Sequence, residues 1–295
     1  MAYNYIYTLT IVSYERVEAG NKLGKVLDTI VIENPISLSF NVERSPYSGN
    51  NGATFDIYNL LPETRKRIFY DYFYQDRIKA VYLEAGYEGR GKNLIYSGHI
   101  KFATSKRSGT DIITHIEAIT GLFIGDSTIS YSMKDGSTNK EVFDQISKDL
   151  PEISATQTFK DYKFVRPVAL MGNKLRLMKQ YTNGRVFVDL DKIYVLNDNE
   201  VPGGNVLLIT DETGLLGTPE RQQTTVSINM MFEPRLQVGH GVEVRSSVEP
   251  VFNGQYKVYS VKHSGMFSYG SKSDVKTSVE LFIGPQILGV FSYDK

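Results

Sequence analysis

Four sets of residues in this chain have types and spacings that chemistry could use. The first is Gly86–Asn93, GYEGRGKN, with the glycine, four-residue gap and Gly91-Lys92 of a phosphate-cradling loop. Such a loop needs Ser or Thr at its eighth place to hold Mg²⁺, and it must run from a strand into a helix N-terminus. Here the eighth residue is Asn93, and both flanks, KAVYLEAGY and LIYSGHIKF, are strand-like. The stretch is expected to be a glycine-rich hairpin. The second set is the four histidines, His99, His115, His240 and His263, none at metal-binding spacing. They are expected to be structural or exposed. The third is Asp189 and Asp191 in VDLDK, two apart on a strand and therefore on one face. They could act as paired carboxylates, or form a charged hairpin exposed to solvent. The fourth is Lys101, Lys106, Lys257 and Lys262, whose interest lies in how they recur.

The elements that would position these residues are mostly short strands. KVLDTIVI, ISLSFNVE, ATFDIYNL, IKAVYLEAGY, LIYSGHIKFATS and DIITHIEAIT follow one another with turns rich in Gly, Asn, Ser and Pro. One helix over 62–75 interrupts them, with Asn59 as cap, Pro62 in its first turn and an apolar stripe of Ile68, Phe69, Tyr72 and Phe73. Tyr70 and Tyr74 fall off that stripe and are expected at the surface. Between about Gly125 and Gly204 the pattern becomes α+β. STNKEVFDQISKDL carries a Ser/Thr cap with Glu141, MGNKLRLMKQYT is a second helix, and RVFVDLDKIYVLND is two strands around a tight turn. From Asn205 the strands return. No acidic calcium loop and no nucleophile elbow is found.

Composition narrows the classes. Lys plus Arg and Asp plus Glu both number 33, so the formal net charge is zero and the basic excess of a nucleic-acid binder is missing. No apolar run reaches membrane-span length, and the first residues lack the pattern of a secretory leader. The absence of cysteine removes disulfides, thiolate metal sites and thiol nucleophiles. Twenty tyrosines and no tryptophan fit either sheet composition or protein–protein surfaces.

An internal repeat organises the whole. SGHIKFATSKRSG, Ser97–Gly109, matches NGQYKVYSVKHSG, Asn253–Gly265, at an offset of 156, so Lys101 falls on Lys257 and Lys106 on Lys262. DIITHIEAITG then matches DVKTSVELFIG at an offset of 163, with Asp111/Asp274, Thr114/Thr277, Glu117/Glu280 and Gly121/Gly284 identical. Upstream, ATFDIYNLLPE parallels TTVSINMMFEP. Two related β units flanking an α+β insert are expected, at 1–125, 126–204 and 205–295. One chain with two like units can build a ring from half as many chains as the ring has positions.

ATFDIYNLLPETRKRI with the YSGHI hairpin, and FEPRLQVGHGVEVRSS…FNGQYKVYSVKHSG, resemble the first and last β domains of contractile-phage baseplate hub proteins, over about Lys25 to Gly284. The resemblance implies a mainly β fold with two tail-tube-like barrels or sandwiches around a small α+β domain. It implies a structural protein of the virion, assembled in the host cytoplasm, with no enzymatic activity and no cofactor or metal. It implies a homotrimeric, pseudo-hexameric ring between a tail tube protein and a central spike protein. Other implied partners are the tape measure protein and further baseplate proteins, with DNA only in transit and no membrane insertion. The loop ERSPYSGNNGA, with Tyr47 and Asn50, is expected at an intersubunit contact, together with Tyr70, Tyr74 and the four lysines. The alternatives are a distal tail or tube-initiator protein of a non-contractile phage, and an all-β glycan-binding protein or hydrolase working through Asp189.

Overall fold

The computed structural model describes residues 4–17, 22–46, 51–71, 77–120, 128–148, 153–156, 162–182, 186–190, 192–196, 200–202, 204–268, 273–283 and 291–293. The first β region contains β1 (Tyr5–Val17), β2 (Lys22–Glu33), β3 (Leu38–Arg44), β4 (Gly52–Tyr58), β5 (Arg77–Tyr87), β6 (Gly91–Ser108) and β7 (Asp111–Ile119). The central stretch contains β8 (Thr128–Met133), β9 (Ile153–Thr156), β10 (Val168–Asn173), β11 (Val186–Asp189) and β12 (Lys192–Val195). The last contains β13 (Gly204–Thr210), β14 (Leu215–Arg221), β15 (Thr225–Met231), β16 (Gly241–Arg245), β17 (Gly254–Phe267), β18 (Asp274–Phe282) and β19 (Phe291–Tyr293). The protein is mostly β.

One sheet carries both repeats, in the order β14-β15-β18-β17-β3-β4-β7-β6-β5-β1-β2. β4, β7 and β6 are neighbours in the first repeat as β15, β18 and β17 are in the second, all antiparallel. Alternation sets the faces: in β4 Ala53, Phe55 and Ile57 point inward, and in β15 Val226, Ile228 and Met230 do. Phe40, Phe55, Ile57, Leu83 and Ile116 centre one buried cluster, and Ile228, Val242, Val258, Val279 and Leu281 centre another. A third cluster belongs to the central stretch, where α2 (Asn139–Ser147) and α3 (Lys174–Tyr181) bury Val142, Phe143, Ile146, Leu177 and Met178 against β10, β11 and β12. Helix α2 starts with a reciprocal cap, the Glu141 amide donating to Thr138 Oγ1 at 3.2 Å and the Thr138 amide to Glu141 Oε2 at 2.9 Å.

The helix of the first β region, α1 (Pro62–Ile68), is shorter than expected. It ends at Ile68 because Tyr70 leaves to bridge Ala103 of β6, its amide donating to the Ala103 carbonyl at 3.0 Å. Phe69 is therefore the C-cap residue, not part of a helical stripe, while Tyr72, Phe73 and Tyr74 lie outside the described residues. Asn59 does not cap the helix. It holds a left-handed φ of 57° and uses its side chain on β7, accepting from the Ile112 amide and donating to Asp111 Oδ1, both at 2.9 Å.

Candidate assembly site

The two repeats meet along β3 and β17. Leu38, Phe40 and Val42 form the inward row of β3, and they lie opposite Phe267, Gly265 and His263. β17 is shared along its length: Gly254–Lys257 pairs with β16, while Val261–Phe267 pairs with β3. Aromatic rings seal the seam from inside, Phe267 stacking on Phe40 at 4.8 Å and on Tyr7 at 5.1 Å. Tyr87 adds a donor to the Phe232 carbonyl at 2.5 Å.

Arg44 ends the inward row and is 1% exposed. Its Nη1 donates to Asp189 Oδ2 of β11 at 2.9 Å, and its Nη2 to the carbonyl of Leu236, beyond β15, at 2.7 Å. One guanidinium thus ties the first β region to the central stretch and to the second repeat. Burial pushes the Asp189 carboxyl up from its ordinary value, and the adjacent Arg44 charge pulls it back. Asn51 lies alongside, accepting from the Ser45 amide at 2.9 Å and donating to the Val188 carbonyl at 3.3 Å. His263 is fully buried, with Nδ1 2.9 Å from Thr277 Oγ1. Burial and the Arg44 charge hold the imidazole of His263 well below its usual range and that of His240 down to about 4. Burial alone brings His99 to about 4.

The expected chemistry of these residues is therefore redistributed. Asp189 is neither one of a solvent-facing pair of carboxylates nor part of an exposed hairpin: it is a buried counter-ion, and Asp191 lies outside the described residues. The glycine-rich stretch is the β5–β6 hairpin, as its strand-like flanks required. His115 sits on the other face of the sheet, 2.7 Å from Asp56 and 3.5 Å from Glu117. Among the described residues no group of three His, Asp or Glu could hold a metal ion.

The lysines do not coincide in space as the sequence alignment places them. A bulge interrupts β6–β7 between Ile100 and Phe102, and β17–β18 between Val258 and Ser260, so the strands correspond at 258 − 100 = 158. A shared hydrogen bond supports this: Ser105 pairs with Thr114 at 3.0 Å as His263 does with Thr277. Lys101 is accordingly the counterpart of Tyr259, and Lys106 that of Ser264, a slip of two that preserves the face. Lys101 is exposed beside an open hollow of about 420 Å³ lined by Asn41, Glu43, Thr54 and Glu117. Lys106 and Lys262 are exposed, Lys262 opposite Glu43 of β3, and Lys257 is half-buried opposite Gly241. Tyr70 is half-buried and donates to the Arg77 carbonyl at 3.1 Å. Tyr47, Asn50 and Tyr74 lie outside the described residues. Arg44 was missed by sequence reasoning, although its place after Leu38, Phe40 and Val42 already put it in the inward row.

The chain is mostly β, and its two β regions meet edge to edge along β3 and β17. The baseplate hub gp41 family model matches residues 16–267. The chain belongs to that family. Among solved structures it is similar to the tail protein from Neisseria meningitidis MC58, with TM-score 0.58 and 10% identity over 97% of this chain and 98% of that one. It is similar to the 43 kDa tail protein of prophage MuSo2 from Shewanella oneidensis, with TM-score 0.55 and 8% identity over 92% and 95%. It is also similar to an E. coli component of the type VI secretion system described as resembling the T4 tail proteins gp27 and gp5, with TM-score 0.55 and 10% identity over 88% and 76%. At these identities the likeness is one of fold. No curated protein sequence matches the chain.

Proposed function

We propose that the chain is the structural hub of a phage baseplate, acting by assembly and not by catalysis. Three copies form a ring of six β units, two from each chain (1–125 and 205–295), with the α+β unit (126–204) between them in sequence. The sixfold side seats the tail tube protein and the threefold side holds the spike protein. Other baseplate proteins bind outside, and the tape measure protein and DNA pass through the channel. The observation that carries this reading is the β3–β17 joint, where one repeat extends the sheet of the other. A ring needs that same kind of contact between chains. The polar outer face with Asn41, Glu43, Thr54 and Glu117 is the surface assigned to the channel.

Native mass spectrometry and an image down the particle axis test the proposal. A trimer with six lobes is expected. A hexamer would favour the distal-tail or tube-initiator reading, and a persistent monomer would remove the ring altogether.

A further inference from the structure

The joint of β3 on β17 has counterparts of both its strands elsewhere in the sheet. Leu38–Arg44 of β3 reads LSFNVER, and Leu215–Arg221 of β14 reads LLGTPER. At an offset of 215 − 38 = 177, Leu, Glu and Arg recur at Leu38/Leu215, Glu43/Glu220 and Arg44/Arg221. Pairing gives the same correspondence at the start of β14, before a two-residue register shift between Leu216 and Glu220. Leu38 lies opposite Ile57 of β4 and Leu215 opposite Met230 of β15. Ile57 and Met230 are matched because Phe55 faces Ile116 as Ile228 faces Val279. β14 is thus the second repeat's version of β3.

The two counterparts have different surroundings. β3 is covered by β17 and its Arg44 is 1% exposed, whereas β14 ends the sheet, with Leu216 47% exposed and Arg221 at the surface. The Arg221 side chain donates to the Gln223 carbonyl of its own turn, at 3.4 Å. The strand equivalent to β17 is β6, and its second half has a matching open side. β5 pairs with β6 no further than His99, and beyond it the described residues place one bridge, Tyr70–Ala103, on that edge. A groove of about 860 Å³ runs beside it, lined by Tyr70, Thr104, Ser105 and Arg65 among others.

We propose that β14 of one copy adds antiparallel to the outer edge of β6, Thr104–Ser108, of the next copy, as β3 adds to β17 within the chain. The inference rests on the ring reading above. In the internal joint Glu43 lies opposite Lys262. The sequence offset places Glu220 (43 + 177) opposite Thr104 (262 − 158). The β14–β15 ladder, in which Glu220 faces Ser227 as Asn41 faces Thr54, instead gives it the place of Asn41. Asn41 lies opposite Ser264, which sets Glu220 opposite Lys106 (264 − 158). The turn entering β14 carries exposed Asp211 and Glu212, and antiparallel addition brings it to the end of β6 where Lys106 and Arg107 are exposed. Pro219 offers no amide and Gly217 takes a φ of 72°, so β14 is a poor template for indiscriminate strand addition. The seam holds through the two ends of β14 and is shorter than the internal joint.

The absence of cysteine makes the test direct. Glu220→Cys is combined in turn with Thr104→Cys and with Lys106→Cys, and the proteins are mildly oxidised. Facing strand residues lie within disulfide reach. Glu43→Cys with Lys262→Cys is the internal control and closes within one chain. Covalent dimers and closed trimers are expected from at least one pairing, and none from the single-cysteine variants, because the contact is head to tail. If the control closes and the native mass is a trimer but both pairings stay monomeric, the seam is wrong and the ring stands. If the unsubstituted protein is itself monomeric, both readings fall.

Discussion

Arg44 and Asp189 show how one pair of residues can hold three parts of a chain in register. Their attraction is offset by the loss of water from both charges, so the intact pair contributes little net stability. Breaking it is another matter. Arg44→Met leaves a buried carboxylate without its counter-ion and is expected to cost about 3–5 kcal/mol in urea unfolding. Arg44→Met with Asp189→Leu should recover most of that loss. If the single variant costs under ~1 kcal/mol, the pair does not link the regions. The histidines make the fold sensitive to acid with a definite sign. His99 and His240 are held at about 4 and His263 well below its ordinary value, while an unfolded histidine protonates near 6.5. Their contribution is complete above about pH 6.5 and is lost as pH falls towards about 4, by up to roughly 1.4 kcal/mol per pH unit for each histidine. Urea midpoints measured between pH 7.5 and 4.5 should fall in that window, and His99→Gln should flatten the slope. A midpoint independent of pH would contradict the burial described.

Among the elements, the β5–β6 hairpin explains its own glycines. A Cβ on Gly86 would lie 1.9 Å from the Gly91 carbonyl oxygen, so Gly86→Ala must displace backbone and is expected to cost about 1–3 kcal/mol by thermal melt. An unchanged melting temperature would show that the hairpin relaxes freely. Helix α1 depends on Lys79, a buried cation whose Nζ donates to the carbonyls of Arg67, Ile68 and Phe69 at its C-terminus. Lys79→Met leaves those carbonyls unsatisfied and is expected to cost about 1–3 kcal/mol. Increased hydrogen exchange at α1 should accompany the loss. Much of this level was legible in the sequence: alternation marks the inward rows of β3, β4, β15 and β18, and Thr138 with Glu141 marks the start of α2. The end of α1 was not legible, because Tyr70 is drawn away by Ala103, 33 residues further on (103 − 70), and no local signal carries that. The strand β1 is one the expected strand series lacks, although YIYTLTIV carries the β-branched and aromatic residues of a strand. The Lys101 and Lys106 matches misled by two residues, since a bulge moves register without changing face.

For the molecule as a whole, the repeat in the sequence announced like halves, but it gave no means of knowing how they touch. The partners of Arg44 lie 145 and 192 residues away, and such contacts are fixed only once both cores exist. Because β17 takes part in both regions, the two β regions should unfold together. Calorimetry is expected to show one transition for them, and two well-separated β transitions would mean that the joint contributes little coupling.

The arrangement of β17 also has a mechanical consequence. A single strand bound to β18 along one side and to β16 and then β3 along the other spans the boundary like an overlapped plank. A pull that slides one region past the other along the strand loads the rungs from Val261 to Phe267 side by side instead of peeling them in turn. Tearing then requires many bonds to fail at once, so the joint should resist sliding far better than it resists peeling.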